Sequence, residues 1–159
     1  MNPKVKRLTR SGILGALTLV LTLLVRIPMP LGYLNLGDAG VFLCAMLLPM
    51  PYAPLAAATG SMLSDLIGYP QYAPITFVIK GGAVLLYWLL DRAFRGRAKV
   101  VSAAISSLLI PLGYFCYESI LYGAGAVAGL LPNLVQGLIG AILAYCLYAV
   151  VKNVPFLKD

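Results

Sequence analysis

Apolar residues fill this chain in long runs, roughly 10–28, 38–49, 53–68, 74–91, 100–122 and 128–151, and the breaks between them are short and rich in Pro, Gly or Arg. A hydrocarbon layer of about 30 Å needs about 20 apolar residues per helical crossing. The runs therefore predict an all-α integral membrane protein, a compact bundle of six transmembrane helices in a single transmembrane domain over 1–159. The second run is short, about 18 Å at the ~1.5 Å rise of a helix. Residues 38–68 therefore read either as two crossings or as a re-entrant pair entering and leaving from one side.

Composition agrees with the pattern: 61% of the 159 residues are hydrophobic and 11% charged, where soluble domains carry about a quarter charged. The first run extends well past a signal-peptide core and ends in "RIPMP" rather than a small-residue cleavage site, so it reads as a helix of the mature protein. The chain has no histidine, and Cys44, Cys116 and Cys146 stand singly in apolar segments. A disulfide framework, a zinc site and His-based catalysis find no support, and no metal ligand set is expected.

The net charge of +7 does not describe a nucleic-acid-binding face. Lys4, Lys6, Arg7 and Arg10 precede the first run, Arg92, Arg95, Arg97 and Lys99 fill one gap, and Lys152 and Lys158 follow the last run. Six crossings put these three groups on one side, which the positive-inside rule makes the cytoplasm, with both termini. The linkers 29–37, 69–73 and 123–127 then face outward.

Apart from those clusters, Asp91 and Asp159, the charged residues are Arg26, Asp38, Asp65, Lys80 and Glu118, all in outer linkers or the outer halves of runs. Charges at membrane depth cost a few kcal/mol or more unless paired or hydrated, which marks them as functional candidates. The uncharged polar groups follow the same geography: Tyr33, Asn35, Tyr69, Gln71, Tyr72, Thr76, Tyr114, Tyr117, Tyr122, Asn133 and Gln136. An outward-opening pocket with apolar and aromatic walls and a few placed polar groups accounts for that clustering, and all of these charged and polar residues except Arg26, Gln71 and Tyr122 are the thirteen expected substrate contacts. Interfacial aromatic belts form without any ligand, and that reading stays open for Tyr52, Tyr69, Tyr87, Tyr122 and Tyr148. Asp38, in "GD" before "AGVFL", fits a helix N-cap as well as a ligand contact. Asp65 fits a turn cap or an ion pair. Tyr114, Tyr117 and Glu118 are spaced i, i+3, i+4 and predict one shared helix face, as do Thr76 with Lys80 and Asn133 with Gln136.

The ordered stretches "GYLNLGD", "GYPQYAPITFVIKG", "YFCYESILYG" and "LPNLVQGLIG" resemble the substrate-binding S component of energy-coupling factor (ECF) transporters. The nearest branch is the riboflavin, hydroxymethylpyrimidine and pyridoxine type, and the likeness runs from Leu8 to about Val151. The resemblance implies capture of a vitamin or vitamin precursor from outside, with the first outer loop as a lid. It also implies docking on a membrane T subunit that carries two ATP-binding A subunits, with toppling of the loaded subunit in the bacterial cytoplasmic membrane driven by their ATP. The chain itself has no GxxxxGK[ST] loop, so no cofactor of its own is expected. The family's Ala-x-x-x-Ala docking pattern matches Gly12 and Ala16, with Ser11 and Gly15 beside them, and small residues at that spacing let helices approach closely. The other classes considered are an autonomous proton-coupled carrier using Glu118 and an intramembrane enzyme using Asp38, Glu118 and Lys80 as acid and base. A flat B-vitamin-like heteroaromatic suits the mixed charges and tyrosines.

Overall fold

The computed structural model describes residues 2–29 and 31–157; Lys158 and Asp159 lie outside the described residues. Helix α1, Pro3–Leu24, starts where the Asn2 side chain accepts the Lys4 N–H at 2.9 Å and Pro3 occupies the first turn. It stops short of the expected residue 28. Pro28 disfavours a helical conformation for Ile27 and cannot donate to the ladder, and Ile27–Met29 (β1) instead pairs antiparallel with Gly32–Leu34 (β2), Pro28 opposite Tyr33. The linker between the first and second runs is thus a small hairpin.

Helices α2 (Gly37–Leu47) and α3 (Tyr52–Gly68) follow, and a 3-10 turn at Pro70–Tyr72 leads into α4 (Ala73–Ala93). The expected span 100–122 is divided into α5 (Lys99–Ser107) and α6 (Leu109–Tyr122). The break has a local cause: Pro111 has no N–H for the Ser107 carbonyl four residues earlier. A 3-10 segment, Gly123–Ala126, precedes α7 (Val127–Val151), and a last one covers Pro155–Leu157. Among the described residues, three helical stretches are by length and composition long and apolar enough to cross a membrane: Pro3–Leu24, Pro70–Ala93 and Lys99–Val151.

Short α2 forms the centre. Every residue from Gly37 to Cys44 is buried, and α1, α3, α4 and α7 all pack on it. Such packing needs backbones to approach closely, and glycines permit it. A Cβ on Gly40 would come within 2.6 Å of Thr18 Oγ1, one on Gly60 within 2.3 Å of the Gly15 carbonyl oxygen, and one on Gly140 within 2.5 Å of Asp38 Cβ. The last contact matters most for the site, because the α7 backbone is pressed against the first turn of α2.

At the other end of α2, Arg10 is buried rather than a solvated flanking charge. Its guanidinium donates to the carbonyls of Leu47 at 3.0 Å and Leu157 at 2.5 Å, tying α1 to the end of α2 and to the C-terminal segment. Asp91 and Lys99 pair at 3.3 Å across the α4–α5 connection.

Candidate functional site

Polar side chains from the hairpin, α2, α3, α4, α6 and α7 converge on one cavity with about 530 Å³ of empty space, mouth included. Of the thirteen expected binding residues, twelve line it: Tyr33, Asn35, Asp38, Asp65, Tyr69, Tyr72, Thr76, Lys80, Tyr114, Glu118, Asn133 and Gln136. Tyr117 does not. Its hydroxyl donates to the Gln71 carbonyl at 2.6 Å, and its ring packs edge-on against Tyr72, so it supports a lining residue from behind.

The cavity floor is built around Asp38. Lys80 donates to Oδ1 and pairs with it, both side chains being almost wholly buried, and Gln136 Nε2 donates to Oδ2 at 3.1 Å. The Gln136 Oε1 in turn accepts the Asn35 backbone N–H at 2.8 Å. Asp38 does not act as the N-cap of α2. Its carboxylate makes no capping hydrogen bond, and the free N–H of Gly37 is taken by Asn35 Oδ1 at 2.7 Å. Its place in the first turn still suits the positive end of the helix dipole.

A second wall is organised by Asp65, which accepts from Tyr33 at 2.9 Å on Oδ1 and from Thr76 at 2.5 Å on Oδ2. Because Thr76 gives its proton to Asp65, the Tyr114 hydroxyl, 2.8 Å away, donates to Thr76. Asp65 thus neither caps a turn nor joins a close ion pair. Burial pushes the Tyr33 phenol up to about 12, so it stays protonated and donates. Arg26 lies over the Tyr33 ring at 4.6 Å and reaches the Ser64 carbonyl at 3.4 Å, outside the cavity lining.

The third wall is Glu118. It is 1% exposed, its Oε1 accepts a long 3.3 Å bond from Tyr72, and its Oε2 has no hydrogen-bond partner among the described residues. Gly129 leaves the carboxyl its room, since a Cβ there would lie 2.5 Å from Oε2. Tyr72 meets Tyr69 edge-on at 6.2 Å and Tyr114 at 6.1 Å, while Tyr69 lies 5.4 Å from Tyr33. Together these rings make an aromatic wall running from the hairpin to α6.

Thr22, Leu31, Gly37 and Ser61 also line the cavity and were not among the expected contacts. Two of them left a trace in the sequence. Thr18 with Thr22 and Ser61 with Ser64 and Asp65 form i, i+4 and i, i+3, i+4 polar stripes inside apolar runs.

Against known proteins, residues 2–153 match the family model described as the ECF-type riboflavin transporter S component. The chain belongs to the S-component family of ECF-type transporters. An S component is a transport subunit, integral to the membrane, and not an enzyme. The relatives of this S component include the thiamine precursor transporter HmpT of Lactococcus lactis subsp. cremoris (strain MG1363), 32% identical over 99% of this chain and 94% of that protein. An uncharacterized protein of Pyrococcus woesei is 36% identical over 84% of this chain and 93% of its own length. Two solved structures share the fold. One is the S component of a bacterial ECF transporter, with a TM-score of 0.74 at 21% identity over 98% of this chain and 99% of that one. The other is the S component for biotin from an ECF-type ABC transporter, with a TM-score of 0.68 at 20% identity over 95% and 93%.

The four residues expected to dock on a partner point in different directions in this S component. Gly12 and Ala16 are exposed on the outside of α1, and a Cβ on Gly12 would touch nothing. Gly15 faces inward, where its added Cβ would lie 3.1 Å from the Ala56 carbonyl oxygen of α3. The Ser11 hydroxyl returns to the Arg7 carbonyl at 2.8 Å.

Proposed function

We propose that this S component captures a small, flat, B-vitamin-like heteroaromatic from outside and holds it in the cavity between the hairpin, α2, α3, α4, α6 and α7. The observation that carries the reading is the convergence of twelve widely separated polar and aromatic residues on one cavity, in a chain of a family devoted to vitamin uptake. The thiamine-precursor role of the Lactococcus lactis relative points the same way. Tyrosines supply flat contact area, and Lys80, Asn133 and Gln136 supply placed polar groups.

In this reading the chain crosses the cytoplasmic membrane of a bacterial cell six times, α5 and α6 together forming one crossing, with both termini inside. It docks on a membrane T subunit with two ATP-binding A subunits, which hydrolyse the ATP that drives uptake. Gly12 and Ala16 form the contact with the T subunit, supported by their exposure and by the fit of small residues to close helix approach.

Mass spectrometry of ligand released from protein purified out of rich medium tests the reading, together with uptake in liposomes. Uptake that requires T and A subunits and ATP is the expected result. Uptake by the chain alone under a proton gradient would overturn it in favour of an autonomous carrier. Gly12→Trp and Ala16→Trp should each abolish uptake while the isolated protein still binds ligand; loss of binding in the isolated variants would remove the docking assignment.

A further inference from the structure

We propose that the ligand carries a cationic or strongly proton-donating nitrogen that docks on Glu118, which makes an amino-substituted, protonatable ring its chemical class. This inference rests on the S-component reading above and sharpens it. It starts from the unequal treatment of the three buried carboxylates that line the cavity. Asp38 has Lys80 and Gln136 on its two oxygens, and Asp65 has Tyr33 and Thr76. Glu118 has only the long bond from Tyr72, and one oxygen with none.

Charge leads to the same place. Lys80 is the single cation among the lining residues, and it is engaged by Asp38. Arg26 lies on the Tyr33 and Ser64 side, so no ion pair reaches Glu118 among the described residues. A buried carboxylate without a partner is costly, and a ligand N–H that is positively charged or strongly polarised supplies both the missing hydrogen bond and the opposite charge. The surrounding tyrosine rings add favourable faces for a cation. An anionic edge would meet like charge there, and a carbonyl edge would set acceptor against acceptor. The Gly129 notch gives the carboxyl group its room and adds no side chain to compete for it.

The test uses the purified full-length chain in detergent and three probes: 4-amino-2-methylpyrimidine, its 4-methoxy counterpart, which presents an ether oxygen and no N–H in place of the amine, and riboflavin, a neutral tricyclic ring. Titration calorimetry should show the amino compound binding at least about 10-fold more tightly than the methoxy compound. Glu118→Gln should erase that preference by weakening only the amino compound, while retained binding of the methoxy compound reports that the variant is folded. Equal binding of the two pyrimidines by the wild-type protein, or a preference that survives in Glu118→Gln, would overturn the proposal. Binding of riboflavin alone would overturn it and leave the S-component reading standing. If none of the probes binds, the proposal fails, and the S-component reading is then judged by its own test, ATP-dependent uptake with the T and A subunits.

Discussion

The Asp38 and Glu118 ends of the cavity are equally buried, each acid being 1% exposed, yet they are built on opposite plans. Around Asp38 both carboxylate oxygens are bonded, and a lysine, a glutamine amide, a backbone N–H and an asparagine form one continuous network. Around Glu118 a single long hydrogen bond stands against an oxygen with none. The first end is closed by the protein's own groups. The second leaves an acceptor unused. The contrast teaches that two equally buried carboxylates lining one cavity can differ in how much of their hydrogen-bonding capacity the protein itself fills.

Breaking the satisfied end carries the largest expected effect. Lys80→Met strands the Asp38 carboxylate and should lower stability by about 3–5 kcal/mol, read as a fall in melting temperature in detergent; Asp38→Asn added to it should recover much of the loss. Next comes Gly140→Val, which drives a side chain into Asp38 and the start of α2 and should cost about 1–3 kcal/mol. The ligand-free protein should respond oppositely at the other end. Glu118→Gln removes an uncompensated charge, so its melting temperature should hold or rise, and a loss of more than about 1 kcal/mol would mean that Glu118 has an internal partner after all. Smallest is Tyr117→Phe, which gives up one bond to the Gln71 carbonyl at the periphery. It should leave ligand affinity within about twofold and stability within about 1 kcal/mol.

Much of the cavity lining was legible in the sequence because an apolar, membrane-length run sets a charged or amide side chain apart from its surroundings. Asp38, Lys80, Glu118 and Gln136 stood out for that reason. The pairings did not. Lys80 meets Asp38 across 42 positions, and nothing in local spacing distinguishes that match from one with Asp65 or Glu118. Hydroxyls were missed for a different reason. Thr22 bonds to the Thr18 carbonyl, the habit of any threonine in an apolar helix, so its place on the cavity leaves a weak mark. Spacing groups Tyr117 with Tyr114 and Glu118, but positions 117 and 118 stand about 100° apart around a helix, and only one of them faces the cavity. Spacing likewise sets Gly15 beside Gly12 and Ala16, whereas the fold turns it toward α3. The hairpin was hidden because its strands are three residues each, too short for an alternating pattern.

Gln136 joins the hairpin's end to the cavity floor with a polarity that cannot be reversed. Its oxygen must face the Asn35 N–H and its nitrogen must face the Asp38 carboxylate. Turned over, the amide would set donor against donor on one side and acceptor against acceptor on the other. The amide is therefore a one-way part that fits only when the chain at Asn35 and the first turn of α2 are both in position. Gln136→Glu would offer Asp38 a second acceptor and undo the match on that side. Through this one residue, the seating of the loop and the anchoring of Asp38 become a single event rather than two.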